Sequence, residues 1–143
     1  MDVEQIRKLL LKLPNVVETM QWGENLVFWV GDKAIGGKMF AVANLEGTRR
    51  AVISFCAGKE NYADLLECEG VFPAPYLARA YWVAIERWDV FRSAQWNQQL
   101  TTAHQLVASR LSRKTRDILA LPIREQKRMI SQKRAALAAK IST

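Results

Sequence analysis

With 143 residues, 50% of them apolar and 24% charged, the chain is large enough for one cored domain and too apolar to be a disordered one. Two cysteines are too few for a disulfide framework. No apolar run approaches the ~20 residues of a membrane helix, so a reduced, cytoplasmic protein with no membrane association is expected. The net charge of +7 is polarised: residues 1–109 hold 11 Lys/Arg against 12 Asp/Glu, net −1, while residues 110–143 hold 10 against 2, net +8. A basic block of this kind can attract nucleic acid or another anionic surface, or can simply be solvated helix.

The start, MDVEQIRKLL, is acidic and amphipathic, and predicts a helix rather than a secretory signal. Asp2 is its expected N-cap with Gln5 completing a capping box; Ile6, Leu9, Leu10 and Leu13 form its apolar face, and Pro14 and Asn15 end it. A strand is predicted over Leu26 to Val30, a two-residue II′ turn at Gly31-Asp32, and a return strand from about Lys33 to Ala43. Gly36-Gly37 interrupts that strand and predicts a bulge or a close backbone approach. Asn44 to Thr48 turns again, and Arg50 to Phe55 is a third strand.

A helix is expected from Lys59 to Glu67 with Tyr62, Leu65 and Leu66 inward, then a turn on Pro73 and Pro75, then a fourth strand from Tyr81 to Glu86. Ser93 can cap a long helix, in which Trp96, Leu100, Ala103, Val107 and Leu111 share one face. A short helix from Arg113 to Leu121 follows. Pro122 then opens a last one with an apolar stripe of Ile123, Ile130, Leu137 and Ile141. The order predicts an α+β fold: an antiparallel sheet of about four strands packed against helices as a two-layer sandwich, with a basic C-terminal helix.

Five segments in order carry a resemblance: Trp22-Gly23-Glu24; Gly37-Lys38-Met39-Phe40-Ala41; Pro73-Ala74-Pro75-Tyr76; Ala78-Arg79-Ala80-Tyr81-Trp82-Val83; and Leu106-Val107 with Arg113-Lys114-Thr115-Arg116. Together, over roughly Leu9 to Leu121, they resemble the MmcQ/YjbR family. The resemblance implies a small α/β protein similar to CyaY/frataxin-like folds, with β-hairpins described as a double wing and an assigned DNA-binding role. It divides the chain into a family-like domain, 1–121, and a basic helical extension, 122–143, packed on or beside it. The chain departs from the family pattern at Trp29, where a basic residue is more common, and at His104, where a tyrosine is. The connection from Val30 to Lys38 is longer than usual, and the last helix extends past the usual end.

Catalytic chemistry finds little support. The lone His104 lies beside an apolar stripe and reads as structural; Ser54 and Cys56 have no histidine near them in sequence to act as base, and Cys56 reads as a small buried hydrophobe. Gly36-Gly37-Lys38 lacks the rest of a phosphate loop. Neither Asp2 with Glu4 nor Glu67 with Glu69 makes the dense acidic ridge a metal role would need, so no metal and no cofactor are expected. Tryptophans fill cores more often than they stack on bases. Arg79 can either brace the Pro turn through a carboxylate such as Glu24 or present its guanidinium to a ligand.

The expectation is therefore a monomeric, non-enzymatic protein that meets DNA through phosphates. Its candidate contacts are Lys38, Arg79, Arg110, Arg113, Lys114, Arg116, Arg124, Lys127, Arg128 and Arg134. The alternative is a small-molecule or protein-binding module with a pocket around Trp22, Arg79 and Trp82.

Overall fold

The computed structural model of the chain describes residues 1–46 and 50–142; the turn expected over Asn44 to Thr48 falls partly outside them. Among the described residues are five helices and a sheet of six antiparallel strands. In chain order these are α1 (Val3–Leu11), β1 (Val16–Gln21), β2 (Asn25–Val30), β3 (Lys38–Asn44), β4 (Ile53–Cys56), α2 (Lys59–Leu66), β5 (Val71–Pro73), β6 (Trp82–Ile85), α3 (Ser93–Arg110), α4 (Arg113–Leu119) and α5 (Ile123–Ser142). The strands lie in the order β1-β2-β3-β4-β6-β5.

The α+β class holds, but the sheet has six strands rather than about four. Both additional strands are edges, where half the backbone ladder is missing and burial is weaker. In β1 the β-branched Val16, Val17 and Thr19 are the signal, diluted by Glu18 and Gln21. In β5, Pro73 argues against a strand, yet an edge strand can spare one N–H.

Helices cover one face. Asp2 caps α1 by accepting from the Gln5 N–H at 2.9 Å, and Ile6 and Leu10 are fully buried. The predicted face of α3 is the observed one, with Trp96, Leu100, Ala103, Val107 and Leu111 buried against β2, β3 and β4. Ser93 is not its cap; Arg92 precedes the helix, and the Gln95 side chain accepts from the Arg92 N–H at 3.0 Å.

The II′ turn at Gly31-Asp32 does not form. Asp32 instead caps a 3-10 turn over Lys33–Ile35, its carboxylate accepting from the Ala34 N–H at 2.8 Å, and Gly36 closes that turn at φ 91. The return strand accordingly starts at Lys38. The bulge of this hairpin sits opposite Phe28 and Trp29 rather than at the glycine pair. The close approach is real, however: a Cβ on Gly37 would lie 1.9 Å from the Gly31 carbonyl oxygen. β4 is shorter than expected, beginning at Ile53, and β6 spans Trp82–Ile85 because Tyr81 is left-handed at φ 61.

The C-terminal helices anchor on the Lys33–Ile35 turn. Buried Thr115 of α4 bonds the Ile35 carbonyl, and Arg134 of α5 pairs with Asp32. Gln126 locks the α4–α5 corner by donating to the carbonyls of Leu119 and Leu121 at 3.0 and 2.8 Å. The docked side of α5 is rotated from the predicted stripe. Gln126, Met129, Ile130 and Lys133 are half-buried, whereas Ile123, Leu137 and Ile141 are exposed. The Arg134–Asp32 ion pair and the Gln126 corner set this rotation.

Candidate functional site

Two surfaces stand out. The first is on the sheet face away from α1 and α3. Strand register puts Asn25, Val27 and Trp29 of β2 on that side with their partners Asn44, Val42 and Met39 of β3, and puts Ser54, Ala84 and Phe72 together across β4, β6 and β5. A cleft of about 660 Å³ opens here, walled by Trp22 at one end and by Phe72, Pro73, Pro75 and Tyr76 at the other. Its volume is that of a small-molecule site.

The polar groups of the cleft are few. Asn25 donates through Nδ2 to the Trp22 carbonyl at 2.8 Å, and Asn44 accepts through Oδ1 from the Glu46 N–H at 2.7 Å. Arg50 holds its guanidinium 3.9 Å from the centre of the Phe72 ring and has no carboxylate partner among the described residues. No Asp or Glu among the described residues lines the cleft. Trp22 and Tyr76 are both non-glycine residues with positive φ, 49 and 65, and both are exposed. The left-handed region is costly for a non-glycine residue, so the surrounding turns hold the backbone at these two positions.

Of the pocket expected around Trp22, Arg79 and Trp82, only Trp22 lines the cleft. Trp82 is 5% exposed: register places it beside Cys56, and the Pro turn closes over it, its N–H donating to the Leu77 carbonyl and its carbonyl accepting from Ala74. Arg79 is exposed on a 3-10 turn over Ala78–Ala80 and forms no ion pair with Glu24. That turn takes it off the period-2 spacing of the strand that follows. The arginine that lines the cleft is Arg50 rather than Arg79; a single residue carries no periodic signal in the sequence.

The second surface is cationic. Arg110, Arg113, Lys114, Arg116, Arg124, Lys127, Arg128 and Arg134 are all exposed, as is Lys38 at the start of β3. Two of them are engaged, Arg128 with Glu125 at 2.8 Å and Arg134 with Asp32. Arg110 lies 3.9 Å from the Cys56 sulfur. Arg113, Lys114, Arg116, Arg124 and Lys127 face solvent with no carboxylate partner among the described residues. By strand direction Lys38, the Lys33–Ile35 turn and Arg79 belong to one end of the sheet, the end that carries α4 and α5.

The remaining chemical groups make packing and pairing contacts. His104 is buried, donates through Nε2 to the Pro14 carbonyl at 2.8 Å and packs edge-on against Phe40. Burial pushes the Cys56 thiol up, against an opposing pull from Arg110. Arg7 grips Glu18 at two points, 2.6 and 2.8 Å, which holds the Glu18 carboxyl below its ordinary range. Among the described residues no three His, Cys, Asp or Glu converge as metal ligands, and no helix is long and apolar enough to cross a membrane.

No curated protein matches the chain significantly. The crystal structure of Deinococcus radiodurans protein DR2400, described as a DUF419 domain, is similar in fold. Its TM-score is 0.71 at 23% identity, with 85% of this chain and 89% of that chain covered. The profile of the YjbR family matches residues 11–106, which takes in the whole sheet and most of α3 and leaves α4 and α5 outside. The chain belongs to the YjbR family.

Proposed function

We propose that the protein is a non-enzymatic nucleic-acid-binding protein that contacts phosphates through α4 and α5 without reading bases. The observation that carries this reading is the concentration of net charge, +8 in residues 110–143 against −1 before them, on helices whose cations are largely exposed. Arg and Lys spread over two exposed helices neutralise phosphates without the groove-fitted side-chain array that base recognition needs. Most of the basic surface, from Arg110 onward, lies outside the family-matched residues 11–106.

Duplex DNA titrated at several salt concentrations tests it. The variant to compare carries Arg113→Gln, Lys114→Gln, Arg124→Gln and Lys127→Gln, which removes charge without disturbing the Asp32 and Gln126 anchors. Every phosphate that the variant no longer neutralises should flatten the log–log salt dependence by about 0.9. An unchanged slope removes this surface from the reading, and absence of binding at low salt removes the reading itself.

One observation favours a second reading, a small-molecule-binding module: the aromatic cleft with its Arg50, which has no carboxylate partner among the described residues.

A further inference from the structure

The cleft on the open sheet face has an inventory specific enough to name a ligand class. Its walls are flat. Trp22, Phe72 and Tyr76 supply rings, and Pro73 and Pro75 stiffen the segment that carries Tyr76. Flat walls favour a planar ligand, because stacking on aromatic faces is the contact such a wall makes best.

Its floor has unused hydrogen-bonding groups. Asn25 and Asn44 are direct partners in the β2–β3 ladder and share the open face. Among the described residues, Asn25 uses its Nδ2 on Trp22 and keeps Oδ1 free, while Asn44 uses its Oδ1 on Glu46 and keeps Nδ2 free. An acceptor therefore stands beside a donor at cross-strand spacing, about 5 Å between Cβ atoms. Their complement is a ring edge that carries a donor beside an acceptor, which is how every nucleobase is built. Ser54 adds a hydroxyl with no partner among the described residues.

Its charge is of one sign. Among the described residues Arg50 is the one cation that lines the cleft, and no acid lines it. The guanidinium lies over the Phe72 ring, and its N–H edge, which has no partner among the described residues, can take an oxyanion at two points.

We propose that this cleft binds a mononucleotide. The base lies between Trp22 and the Tyr76 wall with its edge on Asn25 and Asn44, and Arg50 takes the phosphate. The proposal rests on the small-molecule reading of the cleft and is independent of the α4/α5 reading. Trp22 and Tyr76 fit it: both rings are exposed, on backbone fixed in the left-handed region, and so are available to a ligand.

Isothermal titration of the full chain with the four nucleoside 5′-monophosphates tests it, with the nucleosides, ribose 5-phosphate and a single-stranded decathymidylate as comparison probes. At least one mononucleotide should bind with one-to-one stoichiometry. The matching nucleoside and ribose 5-phosphate should each bind about ten-fold more weakly or worse, since each lacks one half of the recognised chemistry. Arg50→Ala should weaken the mononucleotide about ten-fold or more, and Arg50→Lys should fall between because it keeps charge without the fork. Trp22→Gly should also weaken it while leaving the fold intact, since glycine suits the backbone there. The glutamine-substituted α4/α5 variant should bind the mononucleotide as the natural chain does, and Arg50→Ala should leave duplex binding unchanged. Three results overturn the proposal: no mononucleotide binding at millimolar concentration, equal binding by Arg50→Ala, or binding of the decathymidylate alone.

Discussion

Thr115 Oγ1 donates to the Ile35 carbonyl at 2.8 Å, a buried bond between residues 80 apart in the chain. It fixes α4 to the 3-10 turn that Asp32 caps, and Asp32 in turn holds α5 through Arg134. One short polar turn thus carries both basic helices. The Val30–Lys38 connection and the last helix are two sides of one contact, the Asp32–Arg134 pair.

Thr115→Val keeps the shape and leaves the Ile35 carbonyl unpaired. The expected loss is about 1–3 kcal/mol in urea unfolding. Gly37→Ala should be worse, above about 3 kcal/mol, because the new methyl would meet the Gly31 backbone at 1.9 Å. A Gly37→Ala protein as stable as the natural chain would contradict the geometry of the connection.

The Arg7–Glu18 pair joins α1 to β1 at the sheet edge. Arg7 donates from Nε and Nη2, so the ionised Glu18 is favoured in the folded state and its carboxyl stays below the ordinary 4.5. A carboxylate depressed on folding adds stability that is fully present above the unfolded value and fades as pH falls through the folded one. Glu18→Gln should therefore cost about 1 kcal/mol at pH 7, with the gap to the natural chain narrowing below about pH 4.5. Urea unfolding at pH 7 and at successively lower pH checks this; a gap that stays constant counts against the pair as a source of stability.

The two thiols should separate kinetically. Cys68 is exposed, while Cys56 is buried and its thiol is pushed up by that burial. A thiol reagent at pH 8 should label one cysteine quickly and the other on the timescale of opening, and Cys68→Ser should abolish the fast phase. Fast labelling of Cys56 would show that the end of β4 is open to solvent.

Trp22 and Trp82 look alike in sequence and should behave oppositely. Trp82→Ala empties a site beneath the Pro turn and should cost about 3–5 kcal/mol. Trp22→Gly removes a side chain that is 61% exposed and relaxes its backbone, so stability should change by less than about 1 kcal/mol in either direction. Thermal unfolding of the two variants decides it; a large loss on Trp22→Gly would make that ring a structural element rather than a wall of the cleft.

Elements with strong local periodicity were legible in the chain itself. The apolar spacing of α3, the Asp2 cap, the dense strand β2 and the split of charge at residue 110 are all local patterns, and the structure keeps them. The five motifs also identified the family. What depends on partners distant in sequence emerged only on folding. β1 and β5 become strands because a neighbour offers them a ladder, even though Glu18 and Pro73 weaken their local case. The Gly31-Asp32 segment leaves the two-residue turn because Thr115 and Arg134 stabilise a longer one. Trp82 is buried by the way a Pro turn closes over it, and Arg50 meets the cleft through Phe72 of the edge strand; neither contact has a period. Strand register alone put Asn25 beside Asn44, since pairing across a sheet is a long-range choice that no window of sequence contains.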